Sequence, residues 1–131
     1  MKALDTGVLL ALLEGSSRAR DQLRRLHGTE IATTEVNLLE LAYLASGAPP
    51  RARAARLASL ERVRHRLTVL PIEARSTREV SSRISKGSSR LSPTVAAMLG
   101  ALQAAGCEEL ITDDPRAAAG EWGLRVRVIQ P

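Results

Sequence analysis

A short apolar segment near the carboxyl end of the chain stops on two carboxylates and a proline. The segment runs from Leu110 to Pro115, with the sequence LITDDP. Leu110 and Ile111 predict the last part of a buried strand. The strand ends before Pro115, because proline lacks the backbone N–H that would continue the hydrogen-bond ladder. Asp113 and Asp114 therefore follow the carboxyl end of a strand. In open α/β sheets, ligands bind in the crevice at that edge.

The amino-terminal segment repeats this pattern. Residues Met1 to Gly7 (MKALDTG) supply a few strand-forming residues, then one carboxylate, Asp5, and then a helix start. Two acidic segments at the same sheet edge suggest a cation site, because hard divalent cations take oxygen ligands. Asp5 could instead serve only as the N-cap of the following helix, which is a common role for aspartate.

The composition favours a parallel sheet covered by helices. The 131 residues include no Phe, one Trp and one Tyr, so aliphatic residues must form the core. The length predicts a single domain over residues 1–131. The single cysteine, Cys107, excludes an intrachain disulfide and is typical of a reducing compartment. Because no apolar segment approaches the ~20 residues of a membrane span and no signal-peptide pattern opens the chain, we expect a cytoplasmic protein without membrane contact.

Strand and helix patterns alternate along the chain. The patterns predict strands at Lys2 to Leu4, Glu30 to Ala32, Leu67 to Ile72, Glu109 to Thr112 and Leu124 to Ile129. They predict helices at Val8 to Glu14, Arg18 to Leu26, Thr33 or Thr34 to about Ala45, Arg51 to Arg66, about Ser76 to Ser85 (before Lys86 to Ser89), Ser92 to Gly106, and Ala117 to Trp122. This order predicts an α/β fold, a three-layer α/β/α sandwich around a central, mainly parallel five-stranded sheet.

The third predicted helix carries an acid beside an apolar stripe. The stripe consists of Val36, Leu39, Tyr43 and Leu44. Glu40 adjoins it, and a glutamate in such a position needs a partner or a cation. Glu35 lies in the first turn, where a negative charge interacts favourably with the helix dipole.

Basic residues exceed acidic ones by 19 to 14, for a net charge of +5. The fourth predicted helix, Arg51 to Arg66, is the most basic segment, and we expect it to bind a polyanion backbone or an acidic partner segment. The ordinary alternative is a solvated face. His27 and His65 have no metal-ligand spacing and are assigned to the surface.

The chain resembles the PIN-domain ribonucleases, and most of all the small VapC-type toxins of prokaryotic toxin-antitoxin pairs. The resemblance is carried by Leu4-Asp5-Thr6-Gly7, by Glu40 on the helix after the second strand, by Thr112-Asp113-Asp114, and by the alanine-rich helix ending at Gly106. The motifs are short, but their order and spacing cover essentially the whole chain.

The resemblance implies a PIN-like fold, a Mg²⁺ or Mn²⁺ cofactor and hydrolysis of RNA phosphodiester bonds. It also implies a small antitoxin protein as partner, and a homodimer formed through helices. Asp5 would be a metal ligand, Asp114 a second ligand or the holder of a metal-bound water, and Asp113 a neighbouring acid of the same metal site. Glu40 would orient a water or bind the metal, and Thr112 would hydrogen-bond one carboxylate. We further expect Asp113 to begin a turn with Pro115 and Asp114 to face the crevice.

One acidic position of the family pattern is missing. Counting back from Gly106 places Val95 there, and a shift of one residue places Thr94 there. Magnesium needs only one or two protein carboxylates, so the remaining acids could still hold an ion. The alternative is a weakened or inactive PIN-like domain that acts as an RNA- or protein-binding module.

Two other functional classes fit the sequence poorly. A phosphoacceptor receiver domain needs an acidic pair after the first strand, where Asp5 stands alone. A nucleotide-binding domain needs a glycine-rich phosphate loop, which residues 5–8 do not provide.

Overall fold

A five-stranded parallel sheet forms the centre of the computed structural model, which describes residues 1–85 and 91–131. The strands are β1 (Lys2–Leu4), β2 (Ile31–Thr34), β3 (Thr68–Leu70), β4 (Glu109–Thr112) and β5 (Arg125–Val128). Their order in the sheet is β3-β2-β1-β4-β5, and every neighbouring pair is parallel. The predicted five-stranded sheet is confirmed.

Helices connect the strands. Within the described residues these are α1 (Thr6–Leu13), α2 (Ser17–Arg24), α3 (Glu35–Ser46), α4 (Pro50–Arg66), α5 (Ala74–Ser85), α6 (Pro93–Ala104) and a short 3₁₀ helix (Ala118–Trp122). The last replaces the α-helix predicted at Ala117 to Trp122. The predicted end of the fifth helix, at Lys86 to Ser89, lies outside the described residues.

Both faces of the sheet are covered. Adjacent strand residues point to opposite faces, so each strand contributes side chains to two buried clusters. Ala3 and Leu110 pack in one buried cluster with α6 and the 3₁₀ helix. Leu4 and Ile111 pack in a second cluster with residues of α1, α3 and α4. The two clusters confirm the predicted three-layer α/β/α arrangement.

The strand order places the crevice between β1 and β4. The chain builds β1, β2 and β3 outward in one direction, and then returns to add β4 on the other side of β1. Leu4 is in register with Ile111, and the backbone N–H of Asp5 donates to the Ile111 carbonyl at 2.9 Å. Asp5 and Thr112 therefore lie side by side at the carboxyl ends of β1 and β4. This is the switch point where α/β sheets bind ligands.

Several element boundaries differ from the prediction. Helix α1 begins at Thr6 rather than Val8, because Asp5 caps it. Strand β2 extends to Thr34 rather than Ala32, and Thr34 then caps α3. The strand runs further because Thr33 and Thr34 are fully buried in the sheet.

The apolar stripe predicted on α3 is on the exposed side of that helix. Leu39 is 71% exposed and Tyr43 is 80% exposed. The buried residues of α3 are Asn37, Leu38, Leu41 and Ala45. The helix carries apolar residues on two sides, and periodicity alone does not tell which side packs against the sheet.

Helix α6 has the predicted start. The Ser92 side chain accepts a hydrogen bond from the Val95 backbone N–H, and Pro93 occupies the first helical position. Further along, Gly100 allows a close approach to α5, since an added Cβ would lie 2.7 Å from the Ser76 carbonyl oxygen.

None of the helices within residues 1–85 and 91–131 is both long and apolar enough to span a bilayer.

Candidate functional site

Asp5 lies at the centre of the site, at the end of β1. Its Oδ1 accepts a hydrogen bond from the Thr6 backbone N–H at 2.7 Å, so Asp5 does cap α1. Its Oδ2 accepts a hydrogen bond from the Thr112 hydroxyl, also at 2.7 Å. The cap uses only one carboxylate oxygen, so it does not account for the second contact.

Thr112 makes the hydrogen bond with a carboxylate that the family resemblance implied for it. The residue is fully buried at the end of β4, and its hydroxyl also accepts a hydrogen bond from the Asp114 backbone N–H at 3.1 Å. Because the hydroxyl has one donor proton and Asp5 takes it, the rotamers of both side chains are fixed. The catalytic role of Thr112 stays a prediction.

Glu40 approaches Asp5 from α3. Burial raises the pKa of Glu40, the negative charge of Asp5 raises that pKa further, and a hydrogen bond with the Thr6 side chain opposes the rise. In the part of the chain that the structure describes, no arginine or lysine forms an ion pair with Asp5 or Glu40. Two carboxylates that repel each other without a basic partner are what a cation would stabilise.

The two acids after β4 are arranged differently from the prediction. The Asp113 carboxylate lies against Gly7, in the first turn of α1. The Asp114 carboxylate instead accepts hydrogen bonds from the Arg116 backbone N–H at 2.9 Å and from its Nε at 3.3 Å. These bonds lower the pKa of Asp114. The turn over Pro115 begins at Asp114, whose carbonyl accepts from the Ala117 N–H at 3.2 Å, and not at Asp113.

Val95 and Thr94, the two alternatives for the missing acid, are both exposed in the first turn of α6. Neither can replace a carboxylate. Within residues 1–85 and 91–131, no three His, Cys, Asp or Glu side chains are grouped closely enough to form a metal site by themselves.

Asn37 is a polar residue of this site that the sequence did not predict. It is 1% exposed, and its Nδ2 lies 3.0 Å from Thr6 Oγ1 and 3.4 Å from Asp5 Oδ1. Its Oδ1 accepts from Thr34 in a capping box at the start of α3. The spacing of Thr34 and Asn37 resembles a capping box and could have located this helix start, but not the contact with Asp5.

Other predicted residues lie away from the site. Glu35 is in the first turn of α3, as predicted, and forms two hydrogen bonds with Arg64 at 3.0 and 3.4 Å. His27 and His65 are exposed, as predicted.

Glu109 is a buried carboxylate with a structural role, and basic side chains neutralise its charge. It is buried, and it forms ion pairs with Lys2 at 3.2 Å and Arg127 at 2.7 Å. Burial raises the pKa of Glu109, but the hydrogen bonds and charges of Lys2 and Arg127 outweigh this effect and hold the pKa below its usual range. In the described part of the chain, neither Asp5 nor Glu40 has a basic partner of this kind.

Comparisons with known proteins identify the family of the chain. The family model of the PIN domain matches residues 2–121. The chain belongs to the PIN domain family. A comparison with curated protein sequences gave no match.

Several solved structures that superpose on this chain come from VapBC toxin-antitoxin systems. A chain of VapBC2 from Rickettsia felis, solved with a DNA fragment of its promoter, superposes with a TM-score of 0.84 at 15% identity, covering 98% of each chain. A chain of VapBC-5 from Mycobacterium tuberculosis gives a TM-score of 0.69 at 28% identity, covering 99% of this chain and 98% of that one. VapC20 of the same organism, a toxin that cleaves the sarcin-ricin loop, gives 0.67 at 18% identity and full coverage of both.

We expect Glu40→Gln to stabilise the metal-free PIN domain at neutral pH. The folded-state pKa of Glu40 is raised, so protonated Glu40 favours the folded state. This stabilisation is fully present below the pKa of the unfolded state, about 4.3, and is lost as the pH rises through the pKa of the folded state. Removing the charge at pH 7 should raise the free energy of unfolding by about 0.5 kcal/mol, the scale of a solvent-screened charge pair. Urea titrations in EDTA at pH 7 and pH 4 measure the difference.

The gain should shrink toward zero at pH 4, where wild-type Glu40 is largely protonated. Glu121→Gln is the matched control, because that glutamate is exposed and forms no side-chain ion pair with a described residue. A Glu40→Gln protein less stable than wild type at pH 7 would contradict the Asp5–Glu40 repulsion.

Proposed function

We propose that this chain is a divalent-metal-dependent endoribonuclease, the toxin of a toxin-antitoxin pair, with activity weakened by the missing acid. The observation that carries the proposal is the Asp5–Glu40 pair at the switch point of a PIN fold, two carboxylates that have no basic partner among residues 1–85 and 91–131. Phosphodiester hydrolysis needs stabilisation of phosphate charge and an activated water, and both are served by such a site.

The carboxylates present fit one hydrated Mg²⁺ or Mn²⁺. Asp5 and Glu40 would hold the ion, because magnesium keeps several waters and needs one or two protein carboxylates. Asp113, against Gly7, adds negative charge nearby. Asp114 would contribute after leaving Arg116. The bound ion would polarise the phosphate and lower the pKa of a coordinated water.

The remaining site residues prepare the carboxylates for this role. Thr112 and the Thr6 backbone N–H hold both oxygens of Asp5 through neutral donors, which leave its charge available. Glu40, whose pKa is raised by burial and by the charge of Asp5, is suited to orient a water and accept its proton.

The basic face of α4 supports an RNA substrate. Exposed arginines along this helix include Arg51, Arg53, Arg56, Arg62 and Arg66. Arginine pairs bidentately with phosphate, so this face would hold an RNA backbone that extends beyond the cleavage site. An RNA substrate and the free thiol of Cys107 both suit the cytoplasm.

Protein partners are proposed on similar grounds. The neighbouring VapBC structures support a small antitoxin partner for this chain. The exposed side chains of Leu39, Tyr43 and Leu44 on α3 support a homodimer formed through helices. Equilibrium sedimentation showing a monomer at micromolar concentration would contradict the dimer.

A binding module without chemistry is the second candidate function. It is favoured by the Asp114–Arg116 ion pair at 3.3 Å and by the absence of an acid at Val95 and Thr94. Such a module would keep the PIN fold and the basic α4 face, but it would not bind a divalent cation at the Asp5–Glu40 pair.

Calorimetric titration with Mn²⁺ separates the two functions. Wild type should bind in a saturable manner, and Val95→Asp should bind about ten-fold more tightly, since ligand charge count tunes cation affinity. Thr94→Asp is the matched control, because it adds the same charge one residue away on the exposed turn. No binding by wild type at millimolar Mn²⁺ favours the module. Equal affinities for the two variants would refute Val95 as the missing position.

A further inference from the structure

The side-chain amide of Asn37 has a fixed orientation. The Thr34 backbone N–H lies 3.2 Å from Asn37 Oδ1, and the Thr34 hydroxyl lies 2.7 Å from the same atom. A backbone N–H can only donate, so the amide atom facing it must be the oxygen. The amide nitrogen is therefore directed the other way, toward Asp5.

Three acceptors from two parts of the chain surround that nitrogen. Thr6 Oγ1 is 3.0 Å away, Met98 Sδ is 3.2 Å away and Asp5 Oδ1 is 3.4 Å away. One buried amide thus connects the junction of β1 and α1 with α3 and α6. Asn37 is 1% exposed, and its contacts with Thr34 and with these acceptors satisfy its amide and define its position.

Asn37 lies one helical turn before Glu40 on α3. Residues at i and i+3 share one side of a helix, so an anchor at Asn37 also sets the rotation and height of Glu40 relative to Asp5. The Thr6 hydroxyl connects the two further, because it contacts the Asn37 amide and is hydrogen-bonded to the Glu40 carboxylate.

The donor is also neutral. An arginine or lysine in its place would hold Asp5 but would cancel the charge that a cation needs, as Arg127 and Lys2 do at Glu109. An amide holds the carboxylate and leaves its charge available.

We propose that Asn37 is a positioning residue of the site, whose amide sets the placement of Asp5 and Thr6 relative to Glu40. The proposal rests on the proposed function, in which the Asp5–Glu40 pair holds a divalent ion. A purely structural role would be confined to the capping box that Asn37 shares with Thr34.

Two variants separate these roles. Asn37→Ala removes both the cap and the amide donor, whereas Thr34→Val removes the cap and keeps the donor. Calorimetry with Mn²⁺ and the NMR resonance of the Thr6 backbone amide, which donates to Asp5, provide one readout with metal and one without. Asn37→Ser, a smaller polar replacement, serves if the alanine variant does not fold.

We expect both variants to lower the melting temperature, but only the Asn37 variant to weaken Mn²⁺ binding by about 10–100-fold, the usual effect of losing a residue that orients a ligand. The same variant should shift the Thr6 amide resonance. Equal Mn²⁺ affinities in the two variants would overturn the positioning role.

Failure of the proposed function gives a different result. If wild type binds no Mn²⁺, the metal proposal is wrong, and metal-free crystal structures then decide the role of Asn37. An Asp5 carboxylate displaced from Thr112 in Asn37→Ala but not in Thr34→Val supports positioning. An unchanged Asp5 in both overturns it.

Discussion

Asp5→Asn should lower kcat/KM for RNA cleavage by at least about 100-fold, because loss of a residue that merely orients a metal ligand already costs about 10–100-fold. The amide keeps the shape of the side chain but removes the charge that, with Glu40, would hold the ion. Cleavage of a labelled RNA in Mn²⁺, compared with EDTA, measures the loss.

The fold should survive this substitution. Asparagine caps helices about as well as aspartate, so the start of α1 is retained, and the free energy of unfolding should change by less than about 1 kcal/mol. Asp21→Asn is the matched control, since Asp21 is exposed on α2 and paired with Arg24. A folded Asp5→Asn protein that cleaves RNA at the wild-type rate would contradict the assigned role.

Trp122→Ala should lower the free energy of unfolding by about 3–5 kcal/mol, the usual cost of truncating a large buried aromatic residue. Trp122 is fully buried against Leu99, Leu102 and Leu124. A small domain is stable by about 5–15 kcal/mol, so much of its stability depends on this side chain. Urea unfolding followed by far-UV circular dichroism measures the change, since the variant lacks tryptophan fluorescence.

Trp122→Phe is the informative companion. The Nε1 atom of Trp122 is buried and has no hydrogen-bond partner among the described residues, and phenylalanine removes that unpaired donor while keeping a ring in the cluster. Its loss of stability should therefore be much smaller, about 1 kcal/mol. Comparable losses for the alanine and phenylalanine variants would show that cavity formation is not the dominant cost.

The layered fold could be predicted because its causes are local. Alternating strand and helix patterns and an aliphatic core determine a parallel sheet covered on both faces. The sequence patterns also predicted that Asp5 lies at the same sheet edge as the segment after Ile111, whereas the hydrogen bond from Thr112 to a carboxylate was implied by the family resemblance.

Other parts of the site depend on contacts that sequence patterns do not encode. Asn37 reaches Asp5 over 32 positions, and only the packing of α3 against α1 brings them together. The turn begins one residue later than expected, at Asp114, and Arg116 donates a hydrogen bond to the Asp114 carboxylate. Asp114 therefore takes the turn position predicted for Asp113, whose carboxylate lies against Gly7. Which side of α3 is buried is likewise decided by packing, not by the apolar pattern of Leu39 and Tyr43.

The most direct test of the central claim is a crystal soaked in millimolar Mn²⁺ and measured at the manganese absorption edge. An anomalous peak is expected beside the carboxylates of Asp5 and Glu40, at about 2.0–2.6 Å from at least one of their oxygens. A peak confined to other acids, or no peak at this edge of the sheet, would contradict that claim.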